Sequence, residues 1–462
     1  MRVIVPFVVG VLVVLVLGAA SFAVYAYRPV IAALPADQKP TFEAATVARG
    51  TTLAAMGNCV SCHTTPGGKP LAGGAPLPTP FGTIHSTNIT PDPQTGIGAW
   101  SKEAFARALH EGVDRDGRHL YPAFPYDHFT HLTPEDTEAL YAYLMSQPPV
   151  KADAPQNDLP FPLRFRFLVA GWKLLYLESG PLAPVEAESP EWNRGYYLAE
   201  GIGHCGSCHT PRNALGAEDK QRHFAGNPDI EGWVAYPLNE TNSAPIPWNV
   251  DSLASYLGHG YAEDHGVSRG PMTEVTANLR AAEPADLRAL ATYVVSRMGH
   301  ETALSTAAQG ETVALQELPA GGGDKKEIPP AKPGDRGGAI YEAACDGCHQ
   351  SRRPQPFSGL DLRKSTAVHA DNPQNIVNMV LFGLPAAEGQ PGPIMPGYAG
   401  TLSEADLVAL LDYLRTAVAE KPPWASARTI VANTMNGATR PAIYSSDGVR
   451  RAPVAGLPEA GR

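Results

Sequence analysis

The chain has 462 residues, of which 18 % are charged and 44 % are hydrophobic, and this composition excludes an intrinsically disordered acidic protein. Its formal net charge of −10 at pH 7 argues against nucleic-acid binding. A chain of this length is typically divided into about three domains.

An apolar run occupies residues 3–27. It exceeds the about 20 residues that a helix needs to cross a bilayer, so the sequence predicts a membrane anchor within residues 1–34. A cleaved secretory signal is the alternative, because Ser21 and Ala23 flank Phe22 in a small-x-small pattern that signal peptidases cut. Apolar residues continue beyond that point to Tyr27, which favours an uncleaved anchor.

All six cysteines fall into three copies of one motif, Cys-x-x-Cys-His. This motif is the signal for c-type haem attachment, since two thiols three positions apart can bond to one porphyrin edge while the next imidazole binds the iron. A single Cys-x-x-Cys is also found in zinc sites and thioredoxin-like redox sites. Three complete copies with no cysteine left over favour three covalently bound haem c groups. The copies are Cys59, Cys62 and His63; Cys205, Cys208 and His209; and Cys345, Cys348 and His349.

The motifs lie in three stretches that follow one plan. In each stretch a short helix with an Arg-Gly pair leads into the motif, a loop crosses the haem, and a second helix closes the unit; Thr133 and Pro134 predict the start of the first closing helix. The sequence predicts a mainly α fold, with three class I cytochrome c-like domains in tandem behind one N-terminal transmembrane helix. The predicted segments are cytochrome c domains at 41–150, 186–300 and 334–421, a proline-rich linker at 151–185, a flexible linker at 301–333 and a loose tail at 422–462.

The second axial ligand of each iron is expected shortly before the closing helix. Met272 in the second stretch and Met395 in the third lie at this place, each beside a proline. A thioether ligand would make these His/Met haems, which raises the reduction potential. The alternative is that both are core methionines. Because the chain has only eight methionines and two have this placement, ligation is favoured.

The first stretch departs from this pattern. Phe124 aligns with the methionine position, and a phenyl ring cannot bind iron. Either another residue ligates this iron or its sixth position is open. His128, four residues further along the same loop, is the favoured ligand, and the other candidates are His119, His131 and Met145.

Four further segments carry a resemblance to a known family: FGTI at 81–84, TNITPD at 87–92, GIGAW at 96–100 and GRHLYPA at 117–123. Together with the three haem motifs, they resemble the membrane-bound triheme cytochrome c subunits of periplasmic dehydrogenases. The resemblance covers about residues 40–420 and includes every haem motif.

The resemblance implies that electrons leave a dehydrogenase catalytic subunit of molybdenum, PQQ or flavin type, pass along the haems, and reach ubiquinone or a terminal oxidase. It places the haem domains on the periplasmic side of the cytoplasmic membrane. The family's methionine ligands fall on Met272 and Met395, and its first-unit methionine falls on Phe124. Residues 123–129 are more similar to the branch paired with molybdenum hydroxylase-type dehydrogenases, which oxidise aldehydes or N-heterocycles.

A strongly apolar stretch at 167–177 has Arg164, Arg166 and Lys173 around it. It is too short to span a membrane. The favoured interpretation is an interdomain helix packed against the haem units. The alternative is a helix lying on the membrane near a quinone, because aromatic and basic residues suit that interface.

Two functions of different classes are compatible with these observations. One is an electron-transfer subunit without substrate chemistry of its own. The other is a haem enzyme or gas sensor with an open iron in the first unit, where His119, His128 or His131 would act as the distal acid-base group. The membrane anchor and the chain of three haems favour the first. No dinucleotide fingerprint, phosphate loop or nucleophile elbow stands out.

Overall fold

The computed structural model describes residues 4–35, 38, 40–299, 328, 330–350, 359–386, 394–445 and 448–450. These residues form two compact units. The predicted flexible linker at 301–333 lies outside the described residues except for 328 and 330–333, and so does the predicted tail beyond 450. The first unit contains the chain up to Pro184 with Glu200–His204 and Asn213–Ala217, and the second contains Val185–Ala199, Cys205–Arg212 and the chain from Glu218 onward.

The first unit is mainly helical, with one antiparallel pair of strands. Its strands β1 (Pro76–Thr79) and β2 (Gly82–His85) pair in a tight hairpin. Its helices are α1 (Ile4–Ala26), α2 (Ala44–Met56), α3 (Cys59–Cys62), α4 (Lys102–Glu111), α5 (Tyr126–Phe129), α6 (Pro134–Met145) and α7 (Val169–Tyr176).

Helix α1 differs from the others in exposure. Its large apolar side chains from Phe7 to Leu17 are exposed. Among the described residues it is the one helix that is long and apolar enough to cross a membrane, over Phe7–Ala26, as judged by length and composition.

The second unit contains the second and third haem motifs. Its strands form two short antiparallel pairs, β3 (Asn227–Ile230) with β4 (Trp233–Ala235) and β5 (Tyr261–Ala262) with β6 (Gly266–Val267). A π-helical turn at Leu414–Val418 continues its penultimate helix. The helices are α8 (Pro190–Glu200), α9 (Gly206–His209), α10 (Val250–His259), α11 (Pro271–Leu279), α12 (Pro284–Arg297), α13 (Arg336–Ala344), α14 (Asp346–His349), α15 (Thr366–His369), α16 (Gln374–Phe382), α17 (Glu404–Tyr413) and α18 (Ala427–Met435).

One helix crossing occurs three times. The helices that enter the haem motifs, α2, α8 and α13, cross the closing helices α6, α12 and α17. The glycine of each Arg-Gly pair lies at the crossing, where a Cβ would come within 1.9 to 2.1 Å of a carbonyl oxygen of the closing helix. Only glycine lets the two backbones approach so closely. The crossings pair Gly50 with Ala139, Gly195 with Ala289 and Gly337 with Ala409.

The arginine of each pair forms a second contact with the same closing helix. It reaches an aspartate in the first turn of that helix, where the helix dipole also favours a negative charge. The first closing helix begins as the sequence predicts, because the Thr133 hydroxyl accepts a hydrogen bond from the Asp136 N–H and Pro134 follows. The ion pairs are Arg49–Asp136 at 2.6 Å, Arg194–Asp286 at 2.8 Å and Arg336–Asp406.

Residues 151–184 of the predicted linker at 151–185 belong to the first unit. Thr83 and Asp158 exchange backbone hydrogen bonds of 2.9 and 2.8 Å, so the chain runs antiparallel beside β2. The Asn157 side chain also accepts a hydrogen bond of 2.9 Å from the His85 N–H. This segment is therefore held by strand-like pairing instead of acting as a spacer.

The tail also differs from the prediction. Instead of a loose segment, residues 422–445 contain α18, and Trp424, Val431 and Ile443 belong to the buried core of the second unit. Tail residue Ala442 accepts a hydrogen bond of 2.8 Å from the Trp233 indole N–H. These apolar side chains are buried on folding, which stabilises the described part of the tail.

Candidate haem-binding sites

Each motif histidine is oriented by one backbone carbonyl. Its Nδ1 atom lies at hydrogen-bond distance from that oxygen, which leaves Nε2 to face a metal. Burial lowers the pKa of His63 and His209 and so favours the neutral imidazole that binds iron. The three pairs are His63 with Thr87 at 2.6 Å, His209 with Tyr236 at 2.7 Å and His349 with Leu360 at 2.8 Å.

The two cysteines of each motif lie on one helical turn. Cys59 and Cys62 are the ends of α3, and in the other two motifs the first cysteine precedes the turn directly. All six lie among the described residues. Burial raises the pKa of the Cys59 thiol to about 11, so it is protonated at neutral pH. Paired thiols beside an imidazole with a directed Nε2 fit covalently attached haem c.

In the third site, the loop that carries Met395 contacts the chain directly before the haem motif. The Tyr398 hydroxyl donates a hydrogen bond of 2.9 Å to the carbonyl of Ala344, the residue directly before Cys345. The methionine loop is also paired with the end of α16, because the Leu384 N–H donates to the Met395 carbonyl at 2.8 Å. Tyr398 was not identified from the sequence, although its position three residues after the methionine is a local signal.

In the second site, residues 233–236 contact both the motif histidine and the loop that carries Met272. Tyr236 supplies the carbonyl for His209. Trp233, three residues earlier, packs under Gly270, where a Cβ would lie 2.6 Å from the indole. Gly270 has φ +56°, a conformation that favours glycine, and it comes two residues before Met272. One segment, residues 233–236, therefore contacts the motif histidine His209 at one end and Gly270, two residues before Met272, at the other.

The Met272 loop is further held by the third haem unit and the tail. The Arg269 Nε donates to the Met379 sulfur of α16 at 2.9 Å. Gly448 lies against the start of α11, where a Cβ would be 3.2 Å from the Thr273 carbonyl oxygen. No local sequence signal links Trp233, Gly448 and Met272, and sequence analysis missed the first two.

In the first site the methionine position is filled by aromatic packing. The Phe124 ring is 5.4 Å from Phe129, in an edge-to-face arrangement. His128 is buried, and its Nδ1 lies 2.7 Å from the Glu200 carbonyl oxygen. The His128 ring is thus oriented by a backbone carbonyl, as the three motif histidines are. Described contacts join His128 to Glu200 and His204, and join His63 to Thr87.

His119 does not suit the role of iron ligand. Its Nε2 lies 2.8 Å from the Ala26 carbonyl oxygen, and its Nδ1 lies 3.0 Å from the Lys173 Nζ. Both ring nitrogens are therefore engaged. Two more candidate ligands were named for this iron. The Nδ1 atom of His131 lies 2.6 Å from the Gly180 carbonyl oxygen, and Met145 is the last residue of α6.

Lys173 is the buried centre of a small polar cluster. Its ammonium donates to the carbonyls of Glu111 and Gly112 at the end of α4, and to His119. It also lies 4.8 Å from the Tyr126 ring centroid, at cation–π distance. Burial lowers the pKa of Lys173 to about 7. This cluster fastens α7 and the end of α1 to α4.

Comparison with known proteins gives matches over most of the chain. The family model of cytochrome c matches residues 47–148, and that of cytochrome c oxidase, cbb3-type, subunit III matches residues 332–414. The gluconate 2-dehydrogenase cytochrome c subunit of Pantoea cypripedii is 35 % identical over 418 residues, covering 87 % of this chain and 89 % of that protein.

Two further relatives are similar. The cytochrome c subunit of the quinone alcohol dehydrogenase of Gluconobacter oxydans is 34 % identical over 393 residues, covering 80 % of this chain and 78 % of that protein. A subunit of the nicotinate dehydrogenase of Pseudomonas putida is 41 % identical over 401 residues, covering 86 % of this chain. The chain spans 32 % of the length of that last relative.

These matches agree with the haem-site geometry and with the family resemblance of the sequence. They identify an electron-transfer subunit with covalently bound haem c rather than a catalytic enzyme. The chain belongs to the family of cytochrome c subunits of dehydrogenases.

Proposed function

We propose that this chain is a triheme c-type cytochrome that carries electrons from the catalytic subunit of a periplasmic dehydrogenase to ubiquinone or a terminal oxidase in the cytoplasmic membrane. The observation that supports this most directly is the threefold repeat of one site. Each Cys-x-x-Cys-His motif follows a glycine-mediated helix crossing, and each motif histidine is held by a backbone carbonyl.

The residues of this chain hold and tune the haem groups. The thiols of each motif are the attachment points, and the histidine Nε2 atoms are the proximal ligands. Met272 and Met395 are the sixth ligands of the second and third haems. When bound, haem c supplies one-electron iron chemistry whose potential is set by these axial ligands and by burial.

For the first haem we propose His128 as the sixth ligand. The hydrogen bond from its Nδ1 to Glu200 directs Nε2 away from that carbonyl, as in the motif histidines. The engagement of both ring nitrogens of His119 argues against that residue as the ligand. A bis-histidine haem has a lower potential than a His/Met haem, because the thioether favours the ferrous state.

We propose three tandem cytochrome c domains behind an uncleaved anchor, α1, with the haem domains on the periplasmic side. Covalent haem c is matured outside the cytoplasmic membrane, which supports this orientation. The partner proposed is a catalytic subunit that oxidises N-heterocycles or aldehydes and belongs to the molybdenum hydroxylase type. The 41 % identity to a subunit of nicotinate dehydrogenase supports that choice, since nicotinate is an N-heterocycle.

Intact mass of the matured protein tests the haem count. Three covalent haem additions are expected. Cys208→Ser should weaken attachment in the second motif and leave the other two loaded, because each motif uses its own thiols. Ser207→Ala is the matched control and should keep three haems. A mature protein with one or two haems would refute the triheme proposal.

A further inference from the structure

We propose that residues 161–175 form a second membrane contact, which lies in the lipid head-group region of the bilayer that α1 crosses. This surface is named the juxtamembrane surface. The inference rests on the proposed function in one respect, namely that α1 spans the membrane. The surface consists of the side chains of Phe161, Leu163, Phe165, Phe167, Leu174 and Leu175.

These six side chains are unusual for a water-facing surface. They are between 38 % and 73 % exposed, and they lie close together along one short part of the chain. Contiguous exposed apolar groups mark an interaction site or a membrane contact. Phe161, Leu163 and Phe165 precede the turn at Arg166–Leu168, and Phe167 lies within it. Leu174 and Leu175 lie on α7.

Charge favours phospholipid as the occupant. Residues 159–177 contain no aspartate or glutamate, and their exposed charged side chain is the basic Arg164. The exposed Arg164 guanidinium lies 6.0 Å from the Phe161 ring centroid and 5.8 Å from that of Phe165. Aromatic rings with adjacent basic groups suit the boundary between acyl chains and phosphate head groups.

The position of α7 beside α1 determines how deep the juxtamembrane surface lies in the bilayer. A Cβ on Gly171 would lie 3.7 Å from the ring of Phe22, so α7 packs beside α1. Phe22 comes four residues before Ala26, where α1 ends. At the rise of an α-helix this is about 6 Å below the end of the helix. A helix that crosses the bilayer up to Ala26 therefore brings α7 level with the head groups.

Hydrogen bonds at the end of α1 hold the rest of the first unit next to that end of the helix. The Ala26 carbonyl is bonded to His119, which is in turn bonded to the buried Lys173 of α7. The chain after the helix is also fixed, because the Ile31 N–H donates to the Arg115 carbonyl at 2.9 Å. Val169, Ala170 and Lys173 face the protein, so Leu174 and Leu175 remain on the outside of α7.

Photo-crosslinking of the full-length haem-loaded protein tests the inference. The protein is placed in nanodiscs of phosphatidylethanolamine and phosphatidylglycerol, with benzoylphenylalanine replacing Phe165 or Leu175. Lipid adducts are expected at both positions. Glu135, an exposed residue of the same unit on α6, is the control position and should give none.

A third probe position, Val14 in α1, distinguishes a failure of the juxtamembrane surface from a failure of the proposed membrane anchor. Lipid adducts at Val14 without adducts at Phe165 or Leu175 overturn the juxtamembrane surface and leave the anchor intact. No adduct at Val14, or a mature protein that begins after Ala23, refutes the uncleaved anchor of the proposed function. Crosslinking of Phe165 to a dehydrogenase subunit in native membranes would overturn the inference in favour of a protein partner.

Discussion

The first and second haem motifs differ in the surroundings of the residue that we propose as sixth ligand. In the second site, the methionine follows Gly270, whose backbone is fixed by Trp233 from another part of the chain. In the first site, Phe124 uses the same position for packing against Phe129, and a histidine from the next turn is oriented by Glu200. The repeated frame of crossing helices is thus constant, whereas the distal side of the haem is built separately in each unit.

Exchanging Met272 and Phe124, the residues at the methionine position of the second and first sites, tests this comparison most strongly. Met272→Phe should remove the thioether from the second haem and lower its potential by a substantial part of the about 0.8 V range that axial ligands span. The near-infrared charge-transfer band of His/Met haem should lose about half its intensity if two such haems are present. Redox titration of the purified protein measures the change.

The reciprocal change, Phe124→Met, is the control for that exchange. If His128 ligates the first iron, the number of His/Met haems should stay the same, since the position is already taken. A new His/Met signal in this variant would contradict the assignment of His128.

Removing His128 should affect only the first haem. In His128→Ala, the low-spin ferric signal of that haem in electron paramagnetic resonance should shift or become high-spin, because an imidazole ligand is lost. His131→Ala is the matched control and should leave the spectrum unchanged. An unaltered spectrum in His128→Ala would rule out this ligand.

Trp233→Ala tests how the second site depends on distant parts of the chain. Loss of a buried aromatic ring costs about 3–5 kcal/mol of stability, and the Met272 loop loses the surface under Gly270. Urea unfolding followed through the His/Met band should show an earlier loss of the second haem's methionine. Trp233→Phe keeps one aromatic ring but loses the second ring of the indole and the hydrogen bond to Ala442, so it should cost less stability than Trp233→Ala.

The last prediction concerns the pH dependence of the polar cluster of the first unit. Burial lowers the pKa of Lys173 to about 7, below its value of 10.5 in an unfolded chain. Between these pH values the unfolded state binds more protons, so the stability of the first unit should rise as the pH increases from 7 towards 10. Lys173→Met should flatten this rise, whereas Lys102→Met, an exposed residue of α4, should preserve it. Urea midpoints of the first haem's optical signal across this pH range provide the measurement.

The sequence predicts what local spacing determines. The cysteine motifs and the family resemblance indicate cytochrome c chemistry, and the family assignment confirms them. The cap at Thr133 is also confirmed, because it depends on residues within one turn. The Arg-Gly pairs are visible in the sequence, but their partners on the closing helices become known only from the crossing.

Other features depend on contacts between residues that are far apart in the chain, and such contacts leave no periodic pattern in the sequence. Trp233 and Ala442 are separated by a whole haem motif, and Lys173 contacts His119, which lies 54 residues earlier in the chain. The tail has the polar composition of a loose segment, yet a few apolar side chains, among them Trp424 and Val431, are enough to fix it in the core. Composition averages over such residues and so misses them.

The contact of Trp233 with Ala442 also has a consequence for the order of synthesis. Residues 427–445 are made well after the second haem motif, since the third motif lies between them. When Cys205 and Cys208 first emerge, the part of the chain that later covers Trp233 does not yet exist. The hydrogen bond from the Trp233 indole to Ala442, and the covering of Trp233 that goes with it, therefore form only after translation has passed Ala442.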